Sequence, residues 1–141
     1  VDNPDATIVY SQIGRRVPLH CTGVGKAIMA YLSPYEQNQY IAGGLQRFTE
    51  FTITSPTQLL DNLALARQRG YAIDDEEIEL GLRCVAAPIF NHANEPLAAV
   101  SVSGPVQRLP LATLDEVAKQ VTFYAKEISK RLGHIAPAQG V

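Results

Sequence analysis

The sequence predicts a mixed α+β fold, with a hairpin-built, largely antiparallel sheet flanked by helices. Three observations carry that expectation. Segments with Ser-Pro openings and glycine stops alternate with β-rich runs. Two such runs, 82–90 and 97–104, are separated only by the polar stretch "NHANEP", which reads as a hairpin turn. The chain closes on a long amphipathic segment that can cover a sheet face.

In order, "ATIVYSQIG" (6–14) reads as a strand of β-branched residues ending at glycine. "RVPLHC" (16–21) follows as extended chain, because Pro18 biases its predecessor away from helix. Residues 24–32 read as a helix that Thr22 or Gly23 can cap. "SPYEQNQYIAGG" is a second helix: Ser33 caps it, Pro34 takes the first position, Glu36 completes a capping box, and Gly43-Gly44 stop it. "SPTQLLDNLALARQRG" repeats the pattern with Ser55, Pro56, Gln58 and Gly70, and places Leu59, Leu60, Leu63 and Ala66 on one face. "YAID" (71–74) is a short strand, and the hairpin 82–104 follows. Thr113 and Glu116 form a capping box for the last helix, with Leu114, Val117, Val121, Ala125, Ile128 and Leu132 at helical spacing and Gly133 as its stop. The domain is expected to span 1–133, with a frayed tail over 134–141.

Composition narrows the function classes. The 141 residues suffice for one core, and the net charge of −2 with no basic stripe argues against a nucleic-acid surface. No apolar run approaches a membrane span and the N-terminus lacks signal-peptide character. Two cysteines make no disulfide framework, so a cytoplasmic home is expected. Starting at Val1 and entering strand-like sequence abruptly, the chain reads as an excised piece of a longer protein.

"PLHCTGVGKAIMAYL" (18–32) invites comparison with a phosphate loop. The comparison fails. His20 stands where the loop's first glycine belongs, Ala27 replaces the magnesium-binding hydroxyl, and Ile28 replaces the third glycine of the dinucleotide pattern. A helix N-terminus with Gly23 beside it still offers free amides and partial positive charge, enough for a small carboxylate. Polar groups occur on strands nearby. Ser101 and Ser103 share one strand face, Cys84 falls opposite roughly residue 103 when the hairpin closes, and Asp74 opens the acidic loop "DDEE". Read alone, a buried cysteine, a solvent-facing serine row and a solvated acidic loop explain these equally well. Lys26 is expected to pair with "DDEE" rather than touch ligand.

Three motifs occur together: V-P-L-H-x-T-x-x-G-K-A, G-Y-A-x-D-x-E-E-x-E-x-G-x-x-C-x-A-A-P and S-x-S-G-P. From about Gly14 to Gly133 the chain resembles the effector-binding domain of IclR-family bacterial transcriptional regulators. That resemblance implies a GAF-like curved sheet, clipped here at its start, and an N-terminal winged helix-turn-helix domain, absent from this chain, that binds operator DNA. It implies a small organic acid (keto, sugar or aromatic) as effector, held by the amides of Gly23 and Val24 and by Asp74, Cys84, Ser101 and Ser103. No cofactor is required. Some members are reported with a metal in this pocket, so the resemblance also offers Asp74 and Cys84 as candidate ligands for a zinc, and Cys21 departs from the family's usual alanine. Homodimers or tetramers are expected, since operators are commonly two-fold. Pocket width is expected to depend on Tyr10, Ile78 and Leu80. The competing readings are a thiol enzyme using Cys84 with His20 or His92 as base, and a dimerisation module without ligand.

Overall fold

The computed structural model describes residues 17–136. The strand expected over 6–14, Tyr10 with it, and the tail beyond 136 lie outside the described residues. The described elements run α1 (Gly23–Met29), α2 (Pro34–Ala42), α3 (Pro56–Arg69), β1 (Ala72–Asp75), β2 (Leu82–Phe90), β3 (Pro96–Pro105), a 3₁₀ turn (Leu111–Thr113) and α4 (Leu114–Arg131).

The three strands form one antiparallel sheet in the order β1-β2-β3. Register is set by alternation: Ala72 pairs with Ala86 and Asp74 with Cys84, while Cys84 pairs with Ser103 and Ala86 with Ser101. Both faces of β2 are covered, which is why "CVAAPI" is continuously apolar. On one face Ala86 and Ala72 pack with Ala27, Met29, Leu59 and Leu63 of α1 and α3. On the other, Val85, Ala87 and Ile89 pack under Leu114, Ala118, Val121 and Ala125 of α4.

Local chemistry explains the helix ends. Ser33 and Glu36 complete their capping box. Ser55 Oγ accepts from the Gln58 amide at 3.4 Å, without the reciprocal half, and Gly70 ends α3 at φ 90°. Four expectations are corrected. Residues 19–22 form bends rather than extended chain, because Thr22 Oγ1 donates to the Pro18 carbonyl at 2.7 Å and curls the segment into the cap of α1. Thr113 makes no capping box; its hydroxyl donates back to the Pro110 carbonyl, closing a 3₁₀ turn instead. The buried stripe of α4 runs through Ala118, Val121, Ala125 and Ser129, leaving Ile128 and Leu132 exposed, as Leu60 is on α3. His134, assigned to the frayed tail, is docked: it stacks on Phe90 with ring centroids 5.0 Å apart and its Nε2 lies 2.7 Å from Asn94 Oδ1.

Candidate functional site

The site is built where α1 starts against the middle of β2. Thr22 caps α1, its Oγ1 accepting from the Gly25 amide at 3.1 Å, while its carbonyl accepts from the Lys26 amide at 2.9 Å. Standing in the first turn of α1, the amides of Gly23 and Val24 have no acceptor within the helix, and that of Gly23 faces the Cys84 thiol. Gly23 lies so close to β2 that a Cβ there would stand 2.6 Å from Cys84 Sγ and 3.4 Å from Ala86 Cβ. Glycine is thus required by space.

Around the Cys84 thiol the β2–β3 register gathers Ser103 directly opposite and Ser101 one pair further on the same face. Burial pushes the thiol up; the Ser103 and Ser101 hydroxyls and the Gly23 amide oppose this, and Asp74 reinforces it. Ser101 and Ser103 are exposed, because β3 is the edge of the described sheet, so the hollow expected to be enclosed is open on its serine side among the described residues.

Asp74, opposite Cys84 on β1, is 2% exposed. Burial pushes its carboxyl up to about 7, against the amides of Glu77 and Ile78 that hold it down; Oδ1 accepts from the Glu77 amide at 2.9 Å. It serves the turn after β1 as well as facing the site. Behind it, Lys26 is fully buried. Its Nζ lies 2.8 and 2.9 Å from the two Glu77 carboxylate oxygens and 3.0 Å from Asn62 Oδ1. Lys26 therefore pairs within "DDEE", tying α1 to the loop and to α3. Thr49 and Thr52 clamp that loop from outside, each donating at 2.6 Å, to the carbonyls of Glu76 and Glu77. Of the width-setting residues, Leu80 is 58% exposed on the loop and Ile78 is half-buried. Reading the sequence missed Ala86, whose place beside Cys84 on one strand face was legible from period two, and Asn62, Thr49 and Thr52, which carry no local signal.

The surroundings do not favour a thiol nucleophile: burial pushes Cys84 up rather than down. Cys21 is fully buried and its thiol is pushed up to about 12, by burial first and then by the charges of Asp74 and Glu77. A nucleophile needs the opposite shift. His20 is no base: Nε2 faces the Gln46 carbonyl at 2.8 Å and so carries the proton, which makes Nδ1 accept from Tyr40 Oη at 3.1 Å. His92 sits exposed in the hairpin turn. Nor do the described residues fit a zinc: Asp74 and Cys84 are two ligands where a protein site needs three or four, and no group of three or more His, Cys, Asp or Glu residues gathers among the described residues.

Comparison with known proteins identifies the family. Residues 1–130 match the family described as bacterial transcriptional regulator IclR C-terminal. The chain is 43% identical over 122 residues to the transcriptional repressor IclR of Escherichia coli K12, covering 86% of this chain and 44% of that protein. The Thermotoga maritima IclR crystal structure superposes with TM-score 0.88 at 36% identity, covering 95% of this chain and 55% of that one. The inducer-binding domain of Acinetobacter PobR, solved as a double mutant with 3-hydroxybenzoic acid, superposes with TM-score 0.80 at 31% identity, covering 91% and 74%. The chain spans about half the length of the curated relatives it matches. A single fold thus recurs across these regulators, and the chain belongs to the IclR family of bacterial transcriptional regulators, whose C-terminal region it matches.

Proposed function

We propose that this chain is the ligand-sensing domain of its regulator and binds a small organic acid between the start of α1 and the β2–β3 hairpin. The observation that carries the reading is the convergence of the Gly23 amide and the Ser101 and Ser103 hydroxyls on the Cys84 thiol. A carboxylate there meets donors from two directions and the positive end of a helix. Hydrogen bonds to a charged group contribute about 1.5–3 kcal/mol each. Three or four of them, less the association cost, support affinities of roughly micromolar to millimolar. That range suits a metabolite sensor. The 3-hydroxybenzoic acid complex of PobR supports an acid as the ligand class.

In the full-length regulator, acid binding shifts the balance between quaternary arrangements of a homodimer or tetramer and so repositions the N-terminal operator-binding domains. Such a protein works in the cytoplasm, where its operator is. Among the described residues no helix is long and apolar enough to cross a membrane.

Isothermal titration of the folded chain with keto, sugar and aromatic acids of two to seven carbons tests the reading. At least one acid should bind saturably, and Ser103→Ala should weaken it about tenfold, the loss of one charge-assisted bond. Absence of binding across the panel by a folded sample sinks the proposal.

A further inference from the structure

A second cavity, of about 620 Å³, lies between the end of α3, the free end of β2 and the second half of α4. It exists because β1 stops pairing at Ala72–Ala86, so β2 from Ala87 onward has no strand neighbour on that side among the described residues. The helix layers on the two sheet faces meet around this free edge. Its lower wall is apolar and made of small residues, Ala87, Pro88 and Ala125. Aromatic rings close one end: Tyr31 stands edge-on to Phe90 at 4.9 Å, and His134 covers Phe90. The three hydroxyls in the lining are already committed, Tyr31 Oη donating to the Arg67 carbonyl at 3.3 Å. Thr122 Oγ1 donates to the Ala118 carbonyl at 2.8 Å; Ser129 Oγ donates to the Ala125 carbonyl at 2.8 Å and accepts from the Phe90 amide at 2.9 Å. The polar chemistry left is cationic. Arg67 sits over the Tyr31 ring at 5.4 Å, Lys126 and Lys130 stand on α4, and the one carboxylate in the lining, Glu127, lies 3.9 Å from Lys130 Nζ, so three cations face one anion. On a chain of net charge −2 this is a local excess of positive charge.

We propose that this cleft is a second ligand site, independent of the one at Gly23, and that it takes a flat apolar anion: an aromatic ring system bearing one sulfonate or carboxylate. The volume falls in the range that small-molecule sites occupy. The small-residue wall and the lack of free hydroxyls select an apolar body over a sugar or a polyphosphate. The rim of Arg67, Lys126 and Lys130 selects a single negative charge at its edge. Cys84 and Phe90 are six residues apart on one strand, about 20 Å, so the two sites do not overlap.

The test is a titration of the ¹⁵N-labelled 141-residue chain with 1-naphthalenesulfonate, followed by amide chemical shifts, with 1-naphthalenemethanol as the neutral control. Saturable shifts should cluster at Phe90, Thr122, Lys126 and Ser129, leave Gly23, Val24 and Ser103 unmoved, and be several-fold weaker for the alcohol. The double variant Lys126→Glu/Lys130→Glu, both positions being exposed, should weaken sulfonate binding about tenfold, the scale of two reversed surface charge contacts. The milder Lys126→Gln should weaken it two- to threefold, which keeps the charge argument open to refutation if the double variant unfolds. Shifts confined to Gly23, Val24 and Ser101–Ser103, shifts that do not saturate, or equal affinity for sulfonate and alcohol would overturn the proposal. None of these outcomes counts against acid binding at Gly23, so failure of this proposal and failure of that reading stay distinguishable.

Discussion

Gly23 and Gly25 are two positions apart on α1, yet each is required by a different neighbour. A Cβ at Gly25 would meet Leu19 Cα at 2.5 Å and the Leu19 carbonyl at 2.6 Å, both backbone. One at Gly23 would meet the side chain of Cys84. Backbone cannot move aside without undoing the Thr22 cap, whereas a side chain can rotate. Gly25→Ala should therefore cost more than about 3 kcal/mol and Gly23→Ala about 1–3 kcal/mol by urea denaturation. Adding Cys84→Ala to Gly23→Ala should recover part of the loss, since the two share a contact, with a coupling of at least about 0.5 kcal/mol. Lys26 makes the complementary case of charge. A fully buried ammonium is tolerated because Glu77 and Asn62 meet it. Glu77→Gln leaves that ammonium without a counter-charge and should destabilise by about 3–5 kcal/mol, while Lys26→Met/Glu77→Gln should cost clearly less than the two single changes added. An additive cycle would mean that the pair does not act as a unit.

At the scale of elements, α1 and α4 are fastened to β2 differently. α1 needs glycine to approach, whereas α4 presents small residues, Ala118, Ala125 and Ser129, to the strand. Ser129 is the one polar member of that stripe, and its hydroxyl supplies the partner for the Phe90 amide where a bulge interrupts the ladder at Ile89/Phe90. Ser129→Ala should cost about 1–3 kcal/mol in thermal or urea denaturation, the range for leaving a buried donor unpaired; an unchanged midpoint would argue that water replaces the hydroxyl. Ser129 also shows why the α4 stripe is rotated from the one its apolar residues suggest. Helical spacing through Val117, Val121 and Ile128 describes an apolar arc, but β2 admits only the narrow side of it.

For the whole molecule, Asp74 links stability to pH. Its folded carboxyl titrates near 7, above the ordinary 3.8, because burial disfavours the charge. Between these values the folded state holds more protons than the unfolded chain, so unfolding free energy falls as pH rises from about 4 to 7 and levels above 7. Shifts of this size correspond to at most about 4 kcal/mol. Asp74→Asn, which keeps an acceptor for the Glu77 amide, should flatten that slope and be more stable than the parent at pH 8, as read from melting temperatures across the pH range. A parallel pair of curves would place the titration elsewhere.

Much of this was legible in the chain. The helices announce themselves through Ser33-Pro34 and Ser55-Pro56, because capping is a local hydrogen-bond problem solved within four residues. The hairpin is visible because alternation has period two, and it alone brings Cys84 opposite Ser103. The failures sit where a local pattern competed with a remote partner. Thr113 looked like a cap but turned back to Pro110, and the stretch 16–21 looked extended but bends from Leu19, where Leu19 and His20 meet Tyr40 and Gln46. By itself the sequence determined which segments are helix or strand, the antiparallel pairing and the family, since all of these rest on short-range periodicity and ordered motifs. Only the tertiary structure decided how closely Gly23 approaches Cys84, that Lys26 is buried on Glu77, and that β2 runs past β1 to leave a cleft, because these depend on how separately formed elements exclude water and one another.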